Sequence, residues 1–355
     1  MKAYRLFGFS EALRCVEVVD TPPTGCEILI RTLGAGVCHS DLYLWEGSYD
    51  LGRGQRLNLV DRGIALPLTM GHEIAGEIVA VGPDGPRDRI GEVCVAYPWI
   101  GCGQCRVCKG GEENLCMAPR CLGIHCDGGY AETVRIPHER YLVPIGDMDP
   151  AALAPFACSG LTTYSALKKL QPAIMETPVV IIGAGGLGLM AISILKGMGG
   201  VGAVVVDIDE KKRAGALAAG ALGVVDGASP SAMEDIRAIL GGPAWAAMDL
   251  VGSPETASLA FNLLAKGGTM VCIGLFGGAT PWSLPMIPIK AARILGSYTG
   301  TLGELRELLD LVRTGGVQPI VIDRRDLAEA DDALHRLHKG QQAGRAVLVP
   351  AAPAP

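Results

Sequence analysis

The stretch PVVIIGAGGLGLMAISILKGMGGVGAVVVDIDE, from Pro178 to Glu210, decides the fold of the second half of the chain. Its β-branched residues 179–182 predict a strand, and a glycine-rich turn with G-x-G-x-x-G spacing follows. Apolar side chains then recur at helical spacing, and a second apolar run ends at Asp207. Strand, turn, helix, strand and acid in this order predict a dinucleotide-binding unit.

The glycines of this turn have separate tasks. Gly183 permits the tight turn, Gly185 lets the backbone approach a pyrophosphate, and Gly188 lets the helix pack closely on the strand. The helix N-terminus faces the phosphate charge. The cofactor-binding residues predicted in this stretch are Gly183, Gly185, Gly186, Leu187, Gly188 and Asp207.

Asp207 lies about 20 residues past the glycines, where a carboxylate accepts hydrogen bonds from an adenosine ribose. A 2′-phosphate would meet its negative charge, so Asp207 favours NAD over NADP. Lys211 and Lys212 follow closely and weaken this preference. The glycine spacing alone is a weak signal in a chain with 49 glycines, so the prediction depends on the strands and helix around it.

Length and composition bound the kind of protein. A chain of 355 residues is typical of about two domains. A net charge of −6 and a pI near 5.6 argue against nucleic acid and anionic membrane surfaces as partners. The mean hydropathy is +0.32, but glycines and Lys196 interrupt the most apolar stretch before a run of about 20 residues forms.

The cysteine content and the N-terminus predict a compartment. The opening residues, MKAYRLFGFSEALR, contain no apolar signal core, so nothing in them predicts export. Twelve cysteines in such a chain favour metal and thiol chemistry over a disulfide framework. We therefore expect a reducing compartment, the cytoplasm.

The patterns along the chain divide it into two kinds of structure. Residues 1–157 read as mostly β, with strand-like runs at 26–30, 77–81, 93–96 and 131–136, and residues 47–67 as a long irregular surface loop. Residues 158–299 alternate strands with helices, which predicts an α/β fold with a doubly wound parallel sheet. The tail predicts two amphipathic helices, at 304–313 and 327–338, and a closing strand at 346–349.

Helix-start signals refine the alternating region. Ser231 and Glu234 have the spacing of a capping box that would open a helix ending at Leu240. Ser253 precedes Pro254, a combination typical of an N-cap followed by the first helical position.

Four cysteines within one short segment have metal-ligand spacing. Their C-x2-C-x2-C-x7-C pattern could close a tetrahedral shell of sulfurs around zinc, or hold an iron–sulfur cluster. The pattern leaves no open coordination position, which favours a structural role. The four residues are Cys102, Cys105, Cys108 and Cys116.

A second candidate set is dispersed along the chain. Cys38 begins the segment CHSD, His72 lies in GHE, and Cys158 begins the segment CSGLTTY. Taken singly, each has an ordinary explanation, because cysteine is often a small buried residue and a histidine can be satisfied in a core.

The motifs GVCHSD, GHEIAGEIVAVG, the four-cysteine loop, ACSGLTTY and GAGGLG occur in one order. Together they resemble the zinc-dependent medium-chain alcohol dehydrogenases over essentially the full length. GLFGG, RILGSYTG and GRAVLVP extend the resemblance to the bacterial and archaeal secondary-alcohol dehydrogenases. The resemblance implies a GroES-like β-barrel catalytic domain, residues 1–157 and 300–355, and a Rossmann NAD-binding domain, residues 158–299.

The resemblance also implies roles for individual residues. It implies NAD and two zinc ions per chain, one catalytic and one structural. The implied ligands of the catalytic zinc are Cys38, His72 and Cys158, and those of the structural zinc are the four clustered cysteines. Around the catalytic zinc, the resemblance implies a proton relay that starts at Ser40, with His39 nearby, orientation of His72 by Asp41, and a carboxylate near the metal, Glu73.

The resemblance also implies contacts with bound NAD and with the substrate. Thr162 would contact the nicotinamide and Arg345 the pyrophosphate. Trp99 and Tyr49 would line the substrate pocket.

The implied activity is reversible hydride transfer between an alcohol and NAD, with zinc as Lewis acid. A small-molecule alcohol or carbonyl is the implied substrate, and a homodimer or homotetramer the implied assembly. A polyol or sugar dehydrogenase of the same superfamily and a non-catalytic NAD-binding zinc protein are the alternatives. One position departs from many relatives, because Tyr43 stands where they carry the histidine that completes the relay to water.

Overall fold

The structure is a computed structural model that describes residues 1–342 and 344–351. Its strands are β1 (Lys2–Leu6), β2 (Arg14–Glu17), β3 (Ile28–Gly36), β4 (Ser48–Gly52), β5 (Gln55–Asn58), β6 (Leu68–Thr69), β7 (Glu73–Val81), β8 (Val93–Ala96), β9 (Thr133–Ile136), β10 (Leu142–Pro144), β11 (Val179–Ile182), β12 (Ala203–Asp207), β13 (Gly223–Asp226), β14 (Ala244–Asp249), β15 (Leu264–Cys272), β16 (Arg293–Gly296), β17 (Ile322–Asp326) and β18 (Arg345–Val349).

Its helices are α1 (His39–Glu46), α2 (Arg106–Lys109), α3 (Pro150–Leu153), α4 (Ser159–Lys169), α5 (Ala173–Glu176), α6 (Gly186–Gly197), α7 (Glu210–Ala218), α8 (Ala232–Leu240), α9 (Pro254–Leu263), α10 (Met286–Lys290), α11 (Leu302–Arg313) and α12 (Ala330–His338). Short 3-10 turns join several of them.

Strands β11 to β16 form a parallel sheet in the order β13-β12-β11-β14-β15-β16. The order reverses direction at β11, and the apolar runs in its middle are buried on both faces, as parallel strands covered by helices require. Val180 and Val204 are fully buried neighbours in this core. The predicted α/β fold with a doubly wound sheet is confirmed.

The rest of the chain builds a seven-stranded sheet around β3. Strand β3 pairs with β7 and β9, and also with β18 from the end of the chain. The closing strand therefore returns to the first region, as the resemblance implies, and the GroES-like class is confirmed. The division of the chain at residues 157 and 299 stays a prediction.

One local expectation was wrong, and several strands were not predicted. Residues 47–67, expected to be irregular, contain the antiparallel hairpin β4–β5 and a 3-10 turn at Val60–Arg62. The prediction failed because Gly52 and Gly54, both with positive φ, turn a strand pair that reads as polar loop. Strands β1, β2 and β17 carry charged residues on exposed faces and were also not predicted.

Of the two predicted helix starts, the cap of α9 is confirmed and the capping box of α8 is wrong. Ser253 accepts a hydrogen bond from the Thr256 amide at the start of α9, and Pro254 is its first residue, as predicted. Ser231 does precede α8, but its hydroxyl donates to Asp235 at 2.8 Å and makes no cap. The predicted capping box of Ser231 and Glu234 is wrong, because Ser231 has turned towards the carboxylate one residue further along.

Two general findings concern the chemistry of the chain. Within the described residues, no helix has the length and apolar character needed to cross a bilayer. All twelve cysteines lie in the described part, and none is joined to another by a disulfide.

Candidate functional site

The glycine turn lies between β11 and α6 as its spacing predicts. Gly183 has a φ of 106°, in the region that favours glycine. A Cβ on Gly188 would collide with the carbonyl oxygen of Gly183, so a side chain there would force the helix away from the strand. A Cβ on Gly185 meets nothing within 4 Å, so the helix N-terminus opens on free space. This end of α6 can receive an anion on its unpaired amides.

Asp207 is tied to the same turn. One carboxylate oxygen accepts a hydrogen bond from the Ala184 amide at 2.8 Å, and the other accepts from the Asp209 amide at 2.9 Å. A carboxylate has about four acceptor positions, so two bonds leave capacity for a ribose hydroxyl. The sequence reasoning did not foresee that Asp207 also shapes the glycine turn.

The structure brings together the three dispersed residues. Cys38 precedes α1, His72 precedes β7, and Cys158 precedes α4. The pairing of β3 with β7 brings the first two close together, and the ligand atoms of all three lie within 4.8 Å of one another. All three side chains are buried.

His72 is oriented by one partner and lacks another. Its Nδ1 lies 3.2 Å from Asp41 Oδ1, and among the described residues its buried Nε2 has no hydrogen-bond partner. The second Asp41 oxygen accepts from the Cys38 amide at 2.8 Å and from the Tyr130 hydroxyl at 3.1 Å. Asp41 therefore fixes the tautomer that turns Nε2 towards the two cysteines.

The donor set fits zinc. A tetrahedral zinc with Zn–S bonds of about 2.3 Å separates two sulfurs by about 3.8 Å, and the Cys38 and Cys158 sulfurs are 3.9 Å apart. The unpartnered Nε2 supplies a third donor of the type zinc prefers. Two thiolates and one imidazole leave a fourth position open, the arrangement of a catalytic zinc. A bound cation would also keep both thiols deprotonated.

The four clustered cysteines form a second centre. Their sulfurs lie within 4.8 Å of one another, with separations of 3.4 Å between Cys105 and Cys108 and 3.8 Å between Cys105 and Cys116. These values fit the edges of a tetrahedron around zinc. The amides of Cys102 and Ala118 both donate to the Cys116 sulfur at 3.3 Å, which stabilises a thiolate.

Glu73 and Arg345 form a buried ion pair. Arg345 Nε donates to Glu73 Oε2 at 2.9 Å, and a second guanidinium nitrogen contacts Oε1. Burial raises the pKa of Glu73, while the guanidinium opposes the increase. Glu73 is the carboxylate that the resemblance places near the metal; its oxygens are paired with Arg345, and a Cβ on Gly36 would collide with it.

Arg345 also lies beside the glycine turn, since a Cβ on Gly186 would be 3.7 Å from Arg345 Nη1. The same guanidinium therefore reaches the end of α6 where the pyrophosphate is expected. Thr162, in the first turn of α4, is buried, and its amide donates to the Cys158 carbonyl at 2.8 Å. Arg345 thus connects Glu73, which follows the candidate ligand His72, to the cofactor turn.

The relay residues occupy the first turns of α1. Ser40 is half-buried, two residues after Cys38. His39 is exposed to solvent, yet reduced solvation by the surrounding protein lowers its pKa. Cys38 opposes this change, while Arg345 and Lys212 add to it. Burial raises the pKa of Tyr43 to about 12, so its phenol stays protonated at ordinary pH.

Aromatic rings cover the cluster. Trp99 is buried, with its ring centroid 5.4 Å from that of His72, and its indole donates to the Ala157 carbonyl at 3.0 Å. Tyr49 packs on Tyr43 with centroids 5.1 Å apart. Sequence reasoning missed Tyr298, whose ring lies 5.9 Å from that of Trp99, although the segment RILGSYTG that contains it carried part of the resemblance.

Comparison with known proteins gives a consistent result. Residues 24–147 match the family model of the alcohol dehydrogenase GroES-like domain, and residues 186–314 that of the zinc-binding dehydrogenases. The chain is 38% identical to an NAD-dependent alcohol dehydrogenase of Sulfurisphaera tokodaii, covering 99% of this chain and 100% of the relative.

Solved structures agree with the sequence comparison. The alcohol dehydrogenase of Aeropyrum pernix superposes with a TM-score of 0.89 at 32% identity, covering 99% of this chain and 100% of that one. The D-arabinose dehydrogenase of Sulfolobus solfataricus superposes with a TM-score of 0.83 at 32% identity, covering 98% and 99%.

Proposed function

Because the chain belongs to the zinc-type medium-chain alcohol dehydrogenase family, we propose that it catalyses reversible hydride transfer between an alcohol and NAD. The observation that carries this proposal is the convergence of Cys38, His72 and Cys158, with the buried Nε2 of His72 unpartnered, beside an open glycine turn. Zinc at this cluster supplies a Lewis acid for the substrate oxygen, and NAD accepts or returns the hydride.

The residues around the cluster bind and orient the reactants. Cys38, His72 and Cys158 would hold the metal, and Asp41 keeps His72 in the tautomer that can bind it. Trp99 covers the cluster and, with Tyr49, provides apolar surface for the carbon substituents of the substrate. Burial of the whole cluster excludes water and strengthens the electrostatic interactions made there.

Other residues hold the cofactor. The amides at the start of α6 and the guanidinium of Arg345 face the position of the pyrophosphate. Asp207 accepts from the ribose and disfavours a 2′-phosphate. Glu73 neutralises Arg345 before the cofactor arrives, so the buried cation is never left alone. Thr162 would contact the nicotinamide end of bound NAD.

Ser40 receives the alcohol proton. Its hydroxyl lies in the first turn of α1, two residues after the candidate metal ligand Cys38. Tyr43 cannot pass the proton on as a base, because its pKa is about 12. His39, which faces solvent and has a lowered pKa, is neutral at pH 7 and can accept it.

The test is an NADH absorbance assay with primary, secondary, cyclic and aromatic alcohols, paired with elemental analysis. We expect two zinc ions per chain and turnover with NAD. Absence of turnover across the panel in protein that carries both zinc ions would overturn the proposed activity. One zinc per chain, or iron with sulfide, would overturn the metal assignment.

A sugar dehydrogenase is the second candidate. It is favoured by the similarity to the D-arabinose dehydrogenase of Saccharolobus solfataricus, described as NADP-dependent, at 33% identity over 98% of this chain. The apolar faces of Trp99 and Tyr49 suit a hydrocarbon substituent better than a polyol. Assaying D-arabinose with NADP in the same way separates the two candidates. A kcat/KM for D-arabinose with NADP that exceeds the value for every alcohol with NAD would favour the sugar dehydrogenase.

We propose that the protein assembles as a homodimer or homotetramer in a reducing compartment, the cytoplasm. The outer edge of β16 is unpaired in the described chain, and apolar side chains of the segment between β15 and β16, such as Phe276 and Ile289, are exposed. Light scattering after size exclusion measures the assembly, and a monomer at micromolar concentration would contradict it. The twelve unbridged cysteines support the compartment.

A further inference from the structure

The turn between β16 and α11, residues 298–300, has an unusual backbone. Thr299 has a φ of 48°, in the left-handed region that β-branched residues avoid. Its side chain is buried, and its hydroxyl has no hydrogen-bond partner among the described residues. Such a conformation persists only where the surroundings impose it.

Two side chains hold the peptide groups on either side of Thr299. Asn114 Nδ2 donates to the carbonyl oxygen of Tyr298 at 2.9 Å, and the Tyr97 hydroxyl donates to the carbonyl oxygen of Gly300 at 2.9 Å. The two hydrogen bonds thus fix the carbonyl groups immediately before and after the strained residue.

Asn114 belongs to the four-cysteine lobe, which we define as residues 101–118. It lies in the 3-10 turn Glu113–Leu115, between Cys108 and Cys116. Glu113, its neighbour, is buried and accepts from the Gly101 amide at 3.1 Å. The position of Asn114 therefore depends on the loop that the four cysteines close.

Tyr97 is tied to the same lobe from the other side. Its ring stacks on Tyr141 with centroids 6.3 Å apart. The Tyr141 hydroxyl donates to Glu113 at 2.8 Å, and Arg140 pairs with the same carboxylate at 2.8 Å. Both hydrogen bonds that hold the 298–300 turn thus lead back to Glu113 and the lobe.

The turn carries Tyr298 to the candidate substrate pocket. The Tyr298 ring meets Trp99 edge-on, and Trp99 meets His72. Half of the Tyr298 surface remains exposed, which leaves it free to contact a substrate.

We propose that the four-cysteine lobe positions Tyr298 through Asn114, and that this contact sets which substituents the substrate pocket accepts. The proposed effect on substrate choice rests on the proposed alcohol dehydrogenase activity, whereas the hydrogen bond between Asn114 and Tyr298 does not depend on it. With Tyr298 held against Trp99, the pocket discriminates against bulky substituents on the carbinol carbon. Asn114 is a positioning residue, and Tyr298 is the residue that contacts substrate.

The test compares Asn114→Ala and Asn114→Asp with Glu112→Gln. Asn114→Ala removes the hydrogen bond, and the nearly isosteric Asn114→Asp places a carboxylate oxygen against the Tyr298 carbonyl. Glu112 is an exposed residue of the same lobe two positions earlier and serves as the control. Each holoenzyme is measured for zinc content, amide hydrogen exchange, and kcat and KM on secondary alcohols of increasing size.

We expect both Asn114 variants to keep two zinc ions and to exchange amides 297–301 faster than the parent. The ratio of kcat/KM for bulky over small alcohols should rise about tenfold, the scale of one methylene-sized contact in a pocket. Tyr298→Ala should raise this ratio by a similar factor. The double variant with Asn114→Ala should show nearly the same ratio as Tyr298→Ala alone, because both substitutions act through the Tyr298 ring.

The readouts separate the possible failures. Unchanged exchange at 297–301 would overturn the positioning role whatever the enzyme's activity. Faster exchange without turnover on any alcohol would overturn the proposed function and the pocket role but leave the contact standing. Loss of one zinc with a uniform fall in kcat/KM for all alcohols would show that Asn114 only stabilises the lobe, and would also overturn the proposal.

Discussion

The four cysteines of the lobe span 14 positions of the chain, whereas Cys38 and Cys158 alone are 120 positions apart. The lobe needs only a short loop to bring its sulfurs together. The dispersed cluster needs β3, β7 and α4 in place first. A contiguous set can therefore form with its own loop, while a dispersed set forms only with the whole fold.

The two sets also differ in what surrounds them. Two of the lobe cysteines are half-buried, and all four donor atoms come from cysteine. The dispersed set is fully covered, has three donors, and has Asp41 behind its histidine. A closed shell of four sulfurs stabilises structure, and an open shell of three donors leaves a place for substrate.

The largest effect is expected for Cys38→Ala. Removing a Lewis acid withdraws several kcal/mol from the transition state, so kcat/KM should fall by about 10³-fold or more. Because this metal contributes less to the fold, we expect a loss of about 1 kcal/mol, which lowers the melting temperature by only about 3 °C. Cys15→Ala, at an exposed cysteine, is the control. Turnover near that of the parent would remove Cys38 from the catalytic set.

Cys105→Ala should show the opposite pattern. A structural zinc contributes to folding free energy, and a loss of about 3 kcal/mol would lower the melting temperature by roughly 6–12 °C. Turnover at 25 °C should survive. Calorimetry and a zinc count, with Cys126→Ala as the control, measure both effects. An unchanged melting temperature in protein that has lost one zinc would show that the lobe does not stabilise the fold.

Ser40→Ala should lower kcat/KM by about 10²-fold, the scale of one proton-transfer group. Zinc content and NAD binding should remain those of the parent, because Ser40 is not among the converging ligand residues. Ser40→Thr keeps a hydroxyl and should retain most of the activity. Near-parent activity of Ser40→Ala would refute the relay assignment.

Preference for NAD over NADP should be at least about tenfold, or ~1.4 kcal/mol. Asp207→Asn removes the charge and keeps an acceptor for the Ala184 amide. Asp207→Gly removes both, so it should narrow the preference and also weaken binding of each cofactor. Steady-state kinetics with both cofactors measures this. Equal kcat/KM for NAD and NADP in the parent enzyme would contradict the role of Asp207.

The smallest effect is a shift in pH dependence. Burial raises the pKa of Tyr43 to about 12, so its phenol remains neutral and cannot act as a base below that pH. Oxidation of an alcohol by NAD releases a proton, so we expect it to be fastest in alkaline buffer whether the proton leaves through His39 or through water. Tyr43→His should move the rising limb of kcat/KM towards neutral pH, and Tyr43→Phe should leave it in place. If kcat/KM rises over the same pH range in the parent, Tyr43→His and Tyr43→Phe, Tyr43 does not affect the proton relay.

Much of the fold was predictable because it repeats local patterns. The glycine turn, the strands β11 and β12 and the capped start of α9 follow from side-chain periodicity and turn chemistry alone. The hairpin β4–β5 was not predicted, because its residues are polar and each strand is extended only through pairing with the other. Strand β17 was missed for a similar reason, since it owes its conformation to parallel pairing with β18.

The candidate site was predictable in its members more than in their contacts. Resemblance named Cys38, His72 and Cys158 because short motifs mark them. It did not predict that Glu73 would be turned to Arg345, or that Asn114 would reach Tyr298. These contacts join residues 272 and 184 positions apart, and no local pattern encodes such distances.

The sequence by itself determined the dinucleotide turn, the four-sulfur lobe and the α/β class, because each depends on residues within about one supersecondary unit. Only the tertiary structure decided where the carboxylate of Glu73 points, which donor of His72 stays unpartnered, and what holds Tyr298. The physical reason is that these are choices among competing polar partners. A buried group pairs with whichever partner the packed fold brings within hydrogen-bond reach, and that neighbour is known only when distant elements have packed together.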